Sequence, residues 1–296
     1  MTSTEPAWSG GAGSTGASEP GRPGRRWWVL GLVAAVVVAV LLVAQPWADH
    51  QSEPVVQPTT PVAAETTASA SPRATPTAVA SPTTPPVPGA EAQFDDATVP
   101  ALFVRRPALE ESVPAAADGV DDGMTMGELS WGLPAGSSIE PPTCTTARTV
   151  VATAPPGYVA RSLVNDQLDF TQELTLLADA TAAQAAFRDL VTTVDGCPTY
   201  TQVTPGVEPS TWTAEPAIEG LGVYPAIVQE VVHTVEGMSE PAYRGHMLVG
   251  NVIVTWTATA LGDGDDVEAR LATLGSPESL STMVQDRAQT AVALLS

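Results

Sequence analysis

The sequence predicts an α+β fold: an antiparallel sheet with helices packed on one face, tethered by one N-terminal transmembrane helix. Three observations carry that reading. An uncharged run, WWVLGLVAAVVVAVLLVA, occupies 27–44. A stretch dominated by Pro, Thr, Ala and Ser follows over 45–90. Beyond it, helical apolar stripes bracket a series of segments with the two-residue alternation of strands.

The run Trp27–Ala44 has 18 residues and no charge. As a helix it is roughly 27 Å long, close to the hydrocarbon thickness of a bilayer. Trp27, Trp28 and Trp47 flank it, and indole rings favour the membrane interface. Arg22, Arg25 and Arg26 precede it, while Asp49 and Glu53 follow. Positive charge stays cytoplasmic, so the N-terminus is expected inside and the C-terminal part outside. A cleaved signal peptide is the competing reading. Its apolar region is usually about 7–15 residues, and Leu42-Val43-Ala44 makes a poor cleavage site. A lipoprotein anchor is disfavoured because no Cys follows the run until Cys144.

Residues 1–26 are rich in Gly, Ser, Thr and Pro without apolar periodicity, which predicts a disordered cytoplasmic tail. Residues 45–90 bury too little apolar surface to offset their ordering entropy. Their prolines predict an extended extracellular stalk spanning up to roughly 100 Å.

The chain has 12 basic residues, all Arg, and a formal charge of −21. The absence of Lys points to a GC-rich genome. From Phe94 onward 27 acidic residues face 8 arginines, a formal −19. That balance argues against nucleic acid or anionic lipid as a direct partner.

Residues 91–296 are long enough for one domain with its own core. Val99–Glu111 reads as a short helix interrupted at Pro107, and Cys144 as a turn entering another. Tyr158–Val164 and Gln167–Leu177 read as strands joined by a turn at Asn165-Asp166. Thr181–Val194 is the clearest helix. Ala183, Ala186, Phe187, Leu190, Val191 and Val194 form its stripe, and Thr181 with Gln184 suggests a capping box. Strands are expected at Thr199–Val203, Trp212–Ala214, Val223–Val235, Tyr243–Val249 and Asn251–Ala260, the last with Val252, Val254 and Trp256 alternating. Asp263–Asp266 reads as a turn and Glu268–Leu274 as one or two helical turns. Pro277–Leu295 is a helix capped by Ser276, with Pro277 at its first position.

Cys144 and Cys197 are the only cysteines, and both fall on the expected oxidising side of the membrane, where two thiols usually pair. Redox or metal-binding thiols would ask for CxxC-type spacing, which is absent. His233 and His246 sit in no HExxH, GxSxG or paired-His motif, so no catalytic residue and no cofactor is assigned. The Asp263-Gly264-Asp265-Asp266 run departs from the EF-hand order, so no metal ligand is assigned. Trp131, Tyr158, Trp212, Tyr224, Tyr243 and Trp256 are the large amphipathic rings of the folded part and the candidate lining of a ligand cleft.

The order "PPTC", a strand, "AAQAAFRDLVTTVDGC", then "YRGHMLVGNVIVTWTA" resembles the actinobacterial PknH-like extracellular sensor domain over roughly Val99 to Leu295. The proline-preceded Cys, the Ala-rich helix ending in Cys and the Gly250-Asn251-Val252-Val254 strand carry the likeness. The resemblance implies an extracellular α+β domain with a groove for an unidentified ligand, feeding signals through the membrane. The chain departs from the family where Thr193 and Val194 replace a Trp usually found before the helix Cys. It departs again near Arg244, where a second disulfide partner is missing. The cytoplasmic part holds no kinase domain, so signalling would need a membrane partner. The leading expectation is a non-catalytic, single-pass, membrane-tethered extracellular sensor or ligand-binding domain. It faces the cell wall and takes a small molecule or a cell-wall or lipid component. An envelope scaffolding module and a lipid or glycolipid carrier are the alternatives.

Overall fold

The structure, a computed structural model, describes residues 87–262, 264 and 266–295. The membrane segment Trp27–Ala44, the tail 1–26, stalk residues 45–86, and Asp263 and Asp265 of the expected turn lie outside the described residues. In chain order the elements are α1 (Arg106–Ser112), β1 (Asp121–Asp122), β2 (Ser138–Glu140), α2 (Thr145–Thr149), β3 (Gly157–Val164), β4 (Leu168–Leu176), α3 (Ala180–Gly196), β5 (Thr199–Val203), β6 (Ser210–Ala214), β7 (Ile218–Glu219), β8 (Ala226–Val235), β9 (Met238–Val249), β10 (Val252–Ala260), α4 (Val267–Ala272) and α5 (Pro277–Ala293). Short 3-10 turns occupy Val99–Leu102, Pro114–Ala116 and Pro142–Cys144.

The strands form one antiparallel sheet in the order β1-β3-β4-β10-β9-β8-β6-β5-β2, with β7 paired to β8. The fold class expected from sequence is therefore present, but the helices do not share one face. Val252, Val254, Trp256, Ala258 and Ala260 of β10 belong to a core with α5 residues Leu280, Met283, Val284, Ala288 and Ala291. Ile253, between them, belongs to a separate core with Phe187, Leu190 and Val194 of α3 and with Ile227. Successive strand residues point to opposite faces, so α5 covers one side of the sheet and α3 the other. The alternation of Val252, Val254 and Trp256 marks only one of the two covered faces. Ile253 and Thr255 are in fact fully buried, as in any strand covered on both faces.

Local chemistry explains the element ends. Pro107 does not interrupt a helix; it stands in the first turn of α1, where a missing N–H costs nothing. The cap of α3 is Asp179, whose side chain accepts from the Ala182 N–H, rather than the expected Thr181 and Gln184 pair. Ser276 and Ser279 close a capping box on α5. The domain also begins earlier than residue 91. Val87–Ala90 make a turn, and Gly89 sits so close to Val292 that a Cβ there would touch its methyl groups at 2.8 Å.

The β9–β10 turn explains the Gly250-Asn251 motif. Gly250 has φ +55 and passes against the Ala92 carbonyl. Asn251, 4% exposed, accepts from the Phe94 N–H at 2.8 Å. It donates to the carbonyls of Phe94 at 3.0 Å and Leu177 at 3.2 Å. These residues fasten the N-terminal segment and the end of β4 to the middle of the sheet.

Candidate functional site

On the α3 face, α3 covers only one end of the central strands. Ile227, Ile253, Thr175 and Thr255 are buried there. Toward the other end Thr171, Glu173, Thr257 and Thr259 are half-buried. By register these polar residues share the α3 face with Arg244, because Arg244 pairs with Gln229 and Thr257 and Thr257 pairs with Thr171.

The disulfide predicted from sequence is present: Cys144 and Cys197 are joined, with Cα atoms 5.7 Å apart. It ties the start of α2 to the end of α3. This places Arg148, on the last turn of α2, above the sheet beside Arg244, whose Nη2 donates to the Arg148 carbonyl at 3.2 Å. The two guanidinium groups lie 5.7 and 6.0 Å from the centre of the Trp212 ring. Trp212 stacks on the His233 imidazole at 4.2 Å and on Tyr200 at 6.2 Å. His233 in turn faces Glu240 at 3.4 Å.

The electrostatics of this cluster are one-sided. Among the described residues neither Arg148 nor Arg244 has a carboxylate within ion-pair distance. Burial pulls Arg244, 4% exposed, below the ordinary arginine value, with Arg148 pushing in the same direction and Tyr200 and Glu173 opposing. Burial and then Arg244 hold His246 well below the ordinary histidine value, so its ring is neutral and its Nδ1 lies 2.9 Å from Thr255 Oγ1. Tyr158 donates to Glu173 at 2.7 Å, and burial followed by Glu173 raises its phenol.

Six buried side-chain polar atoms lack a partner among the described residues, and three of them are N–H donors of this cluster: Arg148 Nε, Trp212 Nε1 and Arg244 Nε. Buried donors nearly always find an acceptor. Trp212, Arg244, His246 and Tyr200 line a recess of about 10 Å³, room for a single small atom group. The arrangement is suited to receiving an electronegative atom, and the two guanidiniums favour one that carries negative charge. Among the described residues no three His, Cys, Asp or Glu side chains are grouped to hold a metal ion.

Two of the six expected cleft rings, Tyr158 and Trp212, are on this face but five strands apart, Trp212 within the cluster and Tyr158 beside Glu173. Trp131 lies at the edge of the same face, its indole donating to the Thr149 carbonyl at 3.0 Å. The other three are on the opposite face. Trp256 and Tyr224 are each 2% exposed within the α5 core, and Tyr243 packs against that core. Alternation explains the division: Trp256 sits one residue from the α3-face Thr255 and Thr257. Arg148 and Arg244 were not singled out from sequence. The available signal was an arginine at an inward position of the apolar strand YRGHMLV, where an unpaired charge is costly.

The family comparison gives the class, an extracellular sensor-type α+β domain. Residues 134–274 match the family model of the PknH-like extracellular domain, and the folded part carries a PknH-like domain. No curated protein matches the chain. Among solved structures the chain is similar to the extracellular domain of PknH from Mycobacterium tuberculosis. That likeness has 15% identity and a TM-score of 0.44, covering 66% of this chain and 97% of that one. It is also similar to an uncharacterized protein, the Rv0999 ortholog, from Mycobacterium smegmatis. Here the identity is 14% and the TM-score 0.32, covering 57% of this chain and 86% of that one.

Proposed function

We propose that the folded part is a non-catalytic ligand-binding sensor domain that works outside the cell. In this reading Trp27–Ala44 anchors it in the membrane, with the N-terminus cytoplasmic, and the Pro-rich residues below 87 hold it toward the cell wall. Its ligand, a small molecule or a wall or lipid component, docks on the α3 face beside the cluster of Trp212, Arg148 and Arg244. The observation that supports this is the set of three buried N–H donors without acceptors around Trp212. Buried donors of this kind call for an acceptor, and an oxygen of a docked ligand supplies one. His246 is neutral and turned to Thr255, which suits a structural role better than a general base.

Native mass spectrometry of residues 79–296, made in an actinobacterial host and kept oxidised, tests the reading. The wild type is expected to carry an adduct that is lost on denaturation. Trp212→Phe, which keeps the ring and removes the N–H, should weaken it, as should Arg244→Gln. A bare mass for the wild type, together with one repeatedly crosslinked protein partner in cells, would replace this reading with the envelope scaffold.

A further inference from the structure

A second site lies on the other side of the domain. A pocket of about 410 Å³, within the size range of small-ligand sites, opens between the segment after the first 3-10 turn, the loop after β1, and α5. Its walls include Phe103 and Met124 on the apolar side and Arg105, Arg161, Arg287 and the Asp122 carboxylate on the charged side. Most of these residues fall outside the 134–274 match, so the site is a property of this chain's flanking segments.

The charges there are unbalanced. Three of the eight arginines of the folded part line this pocket, Arg105, Arg161 and Arg287, and a fourth, Arg106, pairs with its Asp122. Asp122 is the one carboxylate that pairs with any of them among the described residues. Its Oδ2 lies 3.3 Å from Arg106 Nη2 and its Oδ1 3.0 Å from Arg161 Nη2. Arg105 and Arg287 have no such partner, and they push on one another. In a domain of formal charge −19 a local excess of positive charge stands out, and like charges in excess of the one Asp122 counter-ion cost stability.

The walls are held in place. Gln172, 2% exposed, accepts from the Val104 N–H at 2.8 Å and donates to the Leu102 carbonyl at 3.1 Å, fixing the segment on either side of Phe103. The Phe103 carbonyl accepts from Arg287 Nε at 2.9 Å, which steadies that guanidinium and leaves its terminal nitrogens without a partner among the described residues. Met124 is tied to β3 at both backbone atoms, its N–H to Ser162 Oγ at 2.7 Å and its carbonyl to the Ser162 N–H at 3.0 Å.

We propose that this pocket binds an anionic amphiphile, an oxyanion head held by Arg105, Arg161 and Arg287 with an apolar chain against Phe103 and Met124. The head is a carboxylate or a phosphate monoester, both of which match the guanidinium fork. The site is separate from the one around Trp212 and does not depend on it.

The methionine methyl groups report occupancy directly. The chain has six methionines. Met124 lines the pocket, while Met247 and Met283 are buried in the α5 core and serve as controls. The full chain, carbon-13 labelled at methionine methyls and held in a nonionic detergent, is titrated with hexyl phosphate, hexanoate, inorganic phosphate and hexanol. Saturable movement of the Met124 signal is expected with hexyl phosphate or hexanoate, the stronger of the two naming the head. The response to inorganic phosphate should be weaker and hexanol should give none. Arg287→Gln, and separately the exposed Arg105→Gln, should each weaken binding by about tenfold, the loss of one charge-assisted contact. A Met124 signal that stays still with both amphiphiles, or moves equally with hexanol, would overturn the proposal. So would variants that bind as the wild type does.

Discussion

Replacing both Cys144 and Cys197 with Ala should remove about 4 kcal/mol of stability from the folded domain. The two residues are 53 positions apart, and closing a loop of that length in the unfolded chain costs about 14 cal/mol/K, or about 4 kcal/mol at 25 °C, in the loop-entropy model. The structure says where this is spent. The bond joins α2 to the end of α3, and both sulfurs are buried in the α3-face core, so no exposed loop absorbs the change. Urea unfolding of residues 79–296, wild type against the double variant, reads the effect. With a slope near 2 kcal/mol/M the midpoint should fall by about 2 M, and the slope itself should rise because the freed unfolded chain exposes more surface. A midpoint shift below about 0.5 M with an unchanged slope would refute the reasoning. It would mean that the segment between the two cysteines stays structured without the bond, or that the bond does not form in the protein.

Three further outcomes follow from single residues. Asn251→Ala strips three hydrogen bonds, two of them buried, from Phe94 and Leu177 and should cost about 3 kcal/mol by urea unfolding; a loss under about 1 kcal/mol would show that the N-terminal segment is held by other means. His246 is kept neutral by burial. The unfolded chain therefore binds the extra proton first as pH falls below about 6.5, and stability is full above that pH and declines beneath it. His246→Gln should flatten the slope of stability against pH between 6.5 and 5 by up to about 1.4 kcal/mol per pH unit, read from midpoints across that range. Gly245 lies under the Trp256 indole, and an added Cβ would overlap the ring. Gly245→Ala should lower the thermal midpoint by roughly 4 °C or more, as overpacked cores do; an unchanged midpoint would mean that the indole moves freely.

The long elements were legible because each leaves a local signal. The α3 stripe of Phe187, Leu190 and Val194 and the Ser276-Pro277 start of α5 need no partner to be recognised. The Cys144–Cys197 bond was legible from compartment and number alone. Two-sided burial was not legible, since Thr255 is compatible with either an exposed or a covered strand position and only α3 decides it. Arg148 and Arg244 stand 96 positions apart; Arg244 meets Trp212 through the register of β6, β8 and β9, and Arg148 through the disulfide that fixes α2. Their significance depends on what fails to pair with them, which no local spacing records. The same holds for Arg105 and Arg287, one from each end of the folded part. The six rings were sorted by size, whereas the side of the sheet each occupies depends on strand register.

The fastening of Phe94 to Asn251 has a mechanical consequence. The order of strands puts β9 and β10 in the middle of the sheet, and the turn between them grips the chain arriving from the N-terminal side at Ala92 and Phe94. A pull on that incoming chain is delivered to the centre of the sheet. Its load falls along the broadest, most cross-braced part of the domain, and the short edge strands β1 and β2 carry none of it. A domain pulled from its N-terminal side is thereby gripped where it is least able to unzip.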